Sequence, residues 1–264
     1  RVPPKSTAPR AALVMLAAGE GRRVGHDSNK VLLPLAGRRV FTWAIRWARH
    51  LPNVVHTVLV IREQDRATVN ATLTREVDPP EVTVVVGGDS RHGSEWSALQ
   101  ALAPAIESGE IDVVVIHDAA RPLASTALFR AVIDAAWEHG GAIPAMPMSG
   151  LVSRDPAADP TSADVAAVQT PQAFVATPLL DASRRADQDG FVGTDTASCI
   201  ERYAEVAIRA VASDARNIKI TFPEDLFLAE RLLARADYDL SGGAETGHHR
   251  WPPLRDLLRR GEAP

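Results

Sequence analysis

The chain has 264 residues, is 45% hydrophobic and 23% charged, and carries a formal net charge of −4, so it can fill a sizeable core and is not a disordered protein. Its mildly acidic balance gives no electrostatic footprint for wrapping nucleic acid. One cysteine, Cys199, excludes an internal disulfide framework and a multi-cysteine zinc site and fits a reducing cytoplasm, and no apolar run reaches the about 20 residues of a membrane span.

Residues 1–10 hold three prolines and no alternating apolar pattern, which predicts a flexible leader. From Ala11 the pattern changes. Residues 12–16, 54–61, 82–86, 112–116 and 141–146 are short apolar runs, often rich in Val and Ile, and read as strands buried on both faces. Between them, helical spacing predicts helices over 40–50, 65–74, 94–106 and 125–139. This alternation predicts an α/β fold, a Rossmann-like three-layer sandwich with a mostly parallel central sheet. Right-handed crossovers then gather the strand C-terminal ends, and with them the site, along one edge.

After Met146 the rhythm breaks. Residues 147–170 are rich in Pro, Ser, Asp and Ala, too long for an ordinary loop and too polar for a core strand, and are expected to protrude as an arm. Helices follow at 179–186 and 194–202, then a strand at 206–211, a strand-like stretch at 217–221 and a helix at 223–236 with proline near its start. The main domain is thus 11–236, and 237–264 reads as a disordered tail.

The first strand runs into Gly19-Glu-Gly21-Arg22-Arg23-Val-Gly25. In such a loop, exposed backbone N–H groups can surround phosphate oxygens, and glycine permits the close approach. The spacing is neither the dinucleotide fingerprint nor a P-loop, which needs a Gly-Lys-Ser/Thr ending. Its distinguishing feature is the cation cluster of Arg22, Arg23 and Lys30, which would oppose developing phosphate charge. The bland alternative is a glycine turn with solvated arginines.

The blocks 16–23 and Asn29-Lys30-Val-Leu-Leu-Pro-Leu-Ala-Gly37 resemble the sugar-phosphate nucleotidyltransferases. From about Ala11 to Ala236 the chain is more closely similar to the 2-C-methyl-D-erythritol 4-phosphate cytidylyltransferase family. Four further blocks carry this resemblance: Gly87-Gly-Asp-Ser-Arg-His-Gly-Ser94, Val115-Ile-His-Asp-Ala-Ala-Arg-Pro122, Gln169-Thr-Pro-Gln172 and Asn217-Ile-Lys-Ile-Thr-Phe-Pro-Glu-Asp225. The resemblance implies transfer of CMP from CTP, with Mg2+, to a polyol phosphate in a cytoplasmic enzyme of isoprenoid precursor biosynthesis. It also implies a homodimer formed through the 147–170 arm.

Gly88 and Asp89 follow the third strand and Ser94 is expected to start a helix, so backbone can approach a flat base there. The resemblance implies that these residues, with the backbone of Ala17 and Ala18, recognise cytosine, while Gly19 and Gly21 bind the nucleotide's triphosphate. It assigns catalysis to Arg23, Lys30 and Lys219, around the pentacovalent centre and departing pyrophosphate. Asp118 ends the most apolar strand, where a carboxylate needs a partner; it is expected to supply one metal ligand or orient the acceptor, or else to pair with Arg121. His117 reads as a structural, neutral imidazole. Arg121 and Thr170 are candidate acceptor contacts. Thr194 or Asp195 reads as a helix cap.

On the acceptor side the chain departs from the family. The usual Asp-Thr-Ile/Met-Lys run is Ser149-Gly-Leu151-Val-Ser-Arg154 here, and Ser162 stands where an arginine is expected. Arg154 could substitute for it. Asn29 replaces the usual proline, and Glu95 the usual valine of Arg-x-x-Ser-Val. Another polyol phosphate, such as ribitol 5-phosphate, or a silent CTP-binding paralogue therefore remain alternatives.

Overall fold

A computed structural model describes residues 8–19, 29–77, 82–148, 166–191, 193 and 195–234. In chain order these form β1 (Ala11–Leu16), β2 (Pro34–Leu35), β3 (Arg38–Arg39), α1 (Val40–Ala48), β4 (Val54–Ile61), α2 (Arg66–Glu76), β5 (Thr83–Val86), α3 (Arg91–Glu107) and β6 (Val113–Asp118). They continue with α4 (Thr126–His139), β7 (Gly140–Pro147), β8 (Ala166–Val168), β9 (Gln172–Val175), α5 (Ala176–Gln188), α6 (Thr196–Tyr203), β10 (Ala207–Ala212) and α7 (Pro223–Leu233).

The main sheet has the order β10-β7-β9-β6-β1-β4-β5, with β8 on β7. β1 pairs in parallel with β4 and β6, β4 with β5, and β7 with β10. β9 enters antiparallel between β6 and β7. Alternation along β1 explains the layering: Ala11, Leu13 and Met15 enter one core with α1, α2 and α4, while Ala12 and Val14 enter the other with α3, α5 and α6. The α/β sandwich expected from the pattern is the observed fold, and the predicted strands, apart from the strand-like 217–221, fall within a residue or two of the observed ones.

Each helix on these faces has a local cause. α1 buries Val40, Phe41, Ala44, Ile45, Trp47 and Ala48, a stripe at helical spacing. Its Trp47 indole donates to the Pro122 carbonyl at 2.7 Å, and Thr126 donates to the Trp47 carbonyl at 2.8 Å. That clamp fixes the loop leaving β6 against α1. In α4, Ser125 caps the start and Gly140, at φ 110, ends it in a conformation open to glycine.

Three expectations change. The 217–221 stretch is not a strand; Ile220 is buried and Lys219 faces the other way, but its backbone pairs with a loop, Ile220 N–H donating to the Ala120 carbonyl at 2.8 Å. α3 begins at Arg91 rather than Ser94, because Ser90 is the cap and accepts from Gly93 N–H at 2.9 Å. Within the expected leader, Arg10 is tied to Asp112 at 3.0 Å, and the Pro9 carbonyl accepts from Asn53 at 2.7 Å. Leader residues 1–7, arm residues 149–165 and the tail from 237 lie outside the described residues. The ends of the arm are described, as β7 and the antiparallel β8. Among the described residues no helix is long and apolar enough to cross a membrane.

Candidate active site

A cavity of about 470 Å3 opens where β1, β5 and β6 end, lined among others by Ala18, Gly19, Lys30, Gly88, Asp89, Arg91, Ser94, Asp118 and Lys219. This is the edge at which an α/β sheet presents ligands. On the β1 side, Asn29 donates to the Ala17 carbonyl at 2.7 Å and to Asp65 at 3.0 Å, and Arg62 grips Asp65 with two bonds at 2.8 and 3.0 Å. Asn29 also caps the short turn that begins with Lys30. Asn29 therefore anchors the start of that turn to the backbone just past β1.

On the β5 side the close approach is at Gly87 and Gly88. A Cβ on Gly87 would lie 2.6 Å from Ser94 Oγ and 2.8 Å from Ala18 Cβ; one on Gly88 would lie 3.0 Å from the Gly93 backbone. The strand-to-helix turn is thus packed flush against both β1 and α3, and Ser94 is buried in the wall.

Asp118, the last residue of β6, is buried and its two oxygens meet two cations. Oδ1 accepts from Arg91 Nη1, and Oδ2 accepts from Lys219 Nζ at 2.7 Å. Burial by itself would raise this carboxyl, but Arg91 and Lys219 more than offset it and hold it well below the usual carboxylate range. Asp118 stays ionised at any working pH. Both oxygens are thus engaged by side-chain cations, and among the described residues no group of three or more His, Cys, Asp or Glu could hold a metal; a magnesium ion bound through one carboxylate and substrate phosphates needs no such group.

Behind Asp118 a chain of hydrogen bonds sets the local geometry. Its N–H donates to Thr170 Oγ1 at 3.0 Å, leaving that hydroxyl to donate to His117 Nδ1 at 3.1 Å, and His117 Nε2 then donates to the Arg121 carbonyl at 3.1 Å. This is the neutral imidazole expected, pushed down to about 4 chiefly by burial. Arg121 does not pair with Asp118; its Nη1 donates to the Asn217 carbonyl at 2.6 Å, and Asn217 Nδ2 donates to the Thr170 carbonyl at 2.9 Å. These bonds hold the segment that carries Lys219 against the β6 loop.

Of the residues singled out from sequence, Ala18, Gly19, Lys30, Gly88, Asp89, Ser94, Asp118 and Lys219 share one cavity. Ala17 does not line it: its N–H donates to the Val60 carbonyl at 2.8 Å and its carbonyl is held by Asn29, so its backbone is engaged within the fold. Arg121 and Thr170 are not in its lining and brace it from behind. Gly21 and Arg23, with Arg22 and Gly25, lie outside the described residues, as do Leu151, Arg154, Ser162 and Thr194. Asp195 is the cap of α6, accepting from Ser198 N–H at 3.0 Å.

Sequence reasoning missed Arg91 and Glu95. Both stand in a quoted block, and the readable signal was their spacing: a cation and a carboxylate four apart share one helix face. Arg91 Nε lies 3.0 Å from Glu95 Oε1, in ion-pair contact but not aligned for a hydrogen bond. Thr196 Oγ1 donates to Glu95 Oε2 at 3.0 Å. Burial pushes Glu95 up to about 7 against the opposing pull of Arg91 and Thr196.

Known proteins resemble this chain in sequence and in fold. The family profile for 2-C-methyl-D-erythritol 4-phosphate cytidylyltransferase matches residues 11–235. A protein of that name from Symbiobacterium thermophilum is 37% identical over 228 residues, covering 84% of this chain and 92% of the relative. One from Geobacillus kaustophilus is 34% identical over 227 residues, covering 84% and 96%. The crystal structure of 4-diphosphocytidyl-2C-methyl-D-erythritol synthase from Anaerococcus prevotii is similar at a TM-score of 0.73 and 26% identity, covering 86% of this chain and 97% of that one.

Proposed function

The chain belongs to the 2-C-methyl-D-erythritol 4-phosphate cytidylyltransferase family, and from that premise we propose that it transfers CMP from CTP to 2-C-methyl-D-erythritol 4-phosphate and releases pyrophosphate. The observation that carries the reading is the placement of Lys30, Arg91 and Lys219 around one cavity at the ends of the parallel strands.

An acceptor phosphate oxygen attacks the α-phosphorus in line. The new P–O bond forms as the bond to the β-phosphate oxygen breaks, and the electron pair leaves on pyrophosphate. The acceptor is already anionic, so the protein need supply neither nucleophile nor base; positioning and charge stabilisation remain. Lys30 and Lys219 face the charge that develops, with Arg23 as a third cation of this reading. The backbone at Ala18, Gly88 and Asp89 receives the base and ribose, and Asp118 orients the acceptor and Lys219.

The divalent cation of this reading arrives with the substrate, as the Mg2+ complex of CTP. A cytoplasmic location fits Cys199, which is buried as a free thiol. A homodimer through the arm is supported by Met148 and Val168, apolar side chains left 42% and 44% exposed at the arm's two ends. Pyrophosphate release from CTP, assayed with 2-C-methyl-D-erythritol 4-phosphate and with ribitol 5-phosphate, tests the acceptor. Faster turnover of ribitol 5-phosphate would reassign it, and no release with either would leave a CTP-binding paralogue.

A further inference from the structure

We propose that Glu95 is a positioning residue for this reaction: from behind the cavity wall it holds the Arg91 guanidinium and, by sharing that cation with Asp118, sets how much positive charge the cavity offers to a triphosphate. The inference rests on the reading of CTP as the substrate.

Arg91 and Glu95 lie one turn apart at the start of α3, so their side chains rise from the same face. Arg91 bridges outward. One side of its guanidinium meets Asp118 at the end of β6, the other meets Glu95. Arg91 lines the cavity, whereas Glu95 is only 4% exposed and sits among Ser94, Ala98, Leu99 and Leu102 on the buried side of the helix. There, water does not screen its charge.

The groups that face Glu95 come from three elements. Arg91 shares its helix and attracts its negative form; Thr196 at the start of α6 donates a hydrogen bond to it; Asp118 from β6 and Asp195 from α6 repel it, and Cys199 of α6 feels its field. With burial, these place its ionisation near neutrality. With Glu95 ionised, the cluster of Arg91, Lys219, Asp118 and Glu95 is electrically neutral. With Glu95 protonated it carries one net positive charge, next to the site where a polyanion must bind. Arg91 keeps its bond to Asp118 in both forms, so the change is one of charge and not of shape. The ionised form therefore weakens the hold on the triphosphate, and the protonated form strengthens it.

The test compares Glu95→Gln, which removes the charge but retains groups able to meet Arg91 and Thr196, with wild type from pH 5.5 to 8.5. Because ionisation of CTP itself acts on both proteins, the quantity read is the ratio of kcat/KM for CTP, variant over wild type. The ratio should be near one at pH 5.5 and rise about threefold to tenfold by pH 8.5, mostly through KM. Glu95→Val, which loses the hydrogen bond as well, should show the same rise. Circular dichroism at each pH confirms that the variants are folded. A ratio that does not change with pH in either variant overturns the proposal. If wild type shows no turnover with any acceptor, the functional reading fails separately, and the same ratio is read from the Kd of CTP by calorimetry.

Discussion

Lys219 Nζ stands 2.7 Å from Asp118 Oδ2 across 101 positions of sequence. The two partners are unlike. Asp118 is fixed at the end of β6 and also held by Arg91, while the Lys219 side chain is 43% exposed on a segment without regular secondary structure. Lys219 is therefore the partner able to turn toward an arriving phosphate while Asp118 keeps Arg91.

Replacing Lys219 by alanine should separate catalysis from stability. A cation acting on charge in the transition state costs about 10²- to 10³-fold in kcat when lost. The buried Asp118 loses one partner but keeps Arg91, so the cost to folding should stay at about 1–3 kcal/mol. Steady-state kinetics and urea unfolding on the same preparation measure both, and near-normal turnover would remove Lys219 from the site.

Glu95 should make stability depend on pH with a sign opposite to that of an ordinary ion-paired carboxylate. Its carboxyl is raised from 4.5 to about 7 on folding, so the folded protein holds this proton more tightly than the unfolded chain does. The contribution is complete below pH 4.5 and is lost as pH rises to about 7. Glu95→Gln should then match wild type at pH 4 and exceed it by roughly 3 kcal/mol at pH 8 in denaturant unfolding. A constant difference across that range would show that the carboxyl does not titrate there.

How far the sequence revealed this site depends on how local each signal is. The strands at 12–16 and 112–116 were legible because strands buried on both faces need unbroken apolar runs, and the parallel order then placed Gly19, Gly88 and Asp118 at one edge. The role of 217–221 was half legible. Its alternation was real, with Ile220 in the core and Lys219 out of it, but the backbone partner is the loop at Ala120, and no periodicity encodes pairing with a loop. Arg121 lies beside Asp118, its N–H donating to the Asp118 carbonyl at 2.9 Å, yet its guanidinium does not form the ion pair that was the alternative reading and meets the Asn217 carbonyl instead. Which of several nearby cations a carboxylate takes depends on three-dimensional placement, and Arg91, 27 positions away, takes it.

Asn29 supplies a prediction about support rather than chemistry. Its amide satisfies the buried Ala17 carbonyl and one oxygen of Asp65. Asn29→Ala should cost about 1–3 kcal/mol, the penalty for leaving such groups unmet, and raise the KM for CTP by loosening the turn that begins with Lys30. Asn29→Asp should be worse, because it sets a second carboxylate 3.0 Å from Asp65 in place of a donor. Thermal denaturation of the two variants would show the order, and a stable Asn29→Asp protein would mean that the bond to Asp65 is dispensable.

Gly87 and Gly19 should behave oppositely on substitution by alanine: Gly19 lines the cavity, while Gly87 packs behind its wall against Ser94 and Ala18. A Cβ at Gly87 meets Ser94 Oγ at 2.6 Å, Ala18 Cβ at 2.8 Å and Val60 Cγ1 at 3.1 Å, so either the β1 loop or the start of α3 must move. Gly87→Ala should lose about 1–3 kcal/mol of stability through overpacking, and the displaced wall should raise the KM for CTP. At Gly19 nothing among the described residues lies within 4 Å of the added carbon, so stability should change by no more than about 0.5 kcal/mol. Any loss there should be confined to CTP binding, where a methyl group blocks the approach of phosphate to backbone N–H. Urea unfolding and CTP calorimetry on both variants separate the two effects. Equal stability losses would show that the tight contact at Gly87 is not what makes that position intolerant.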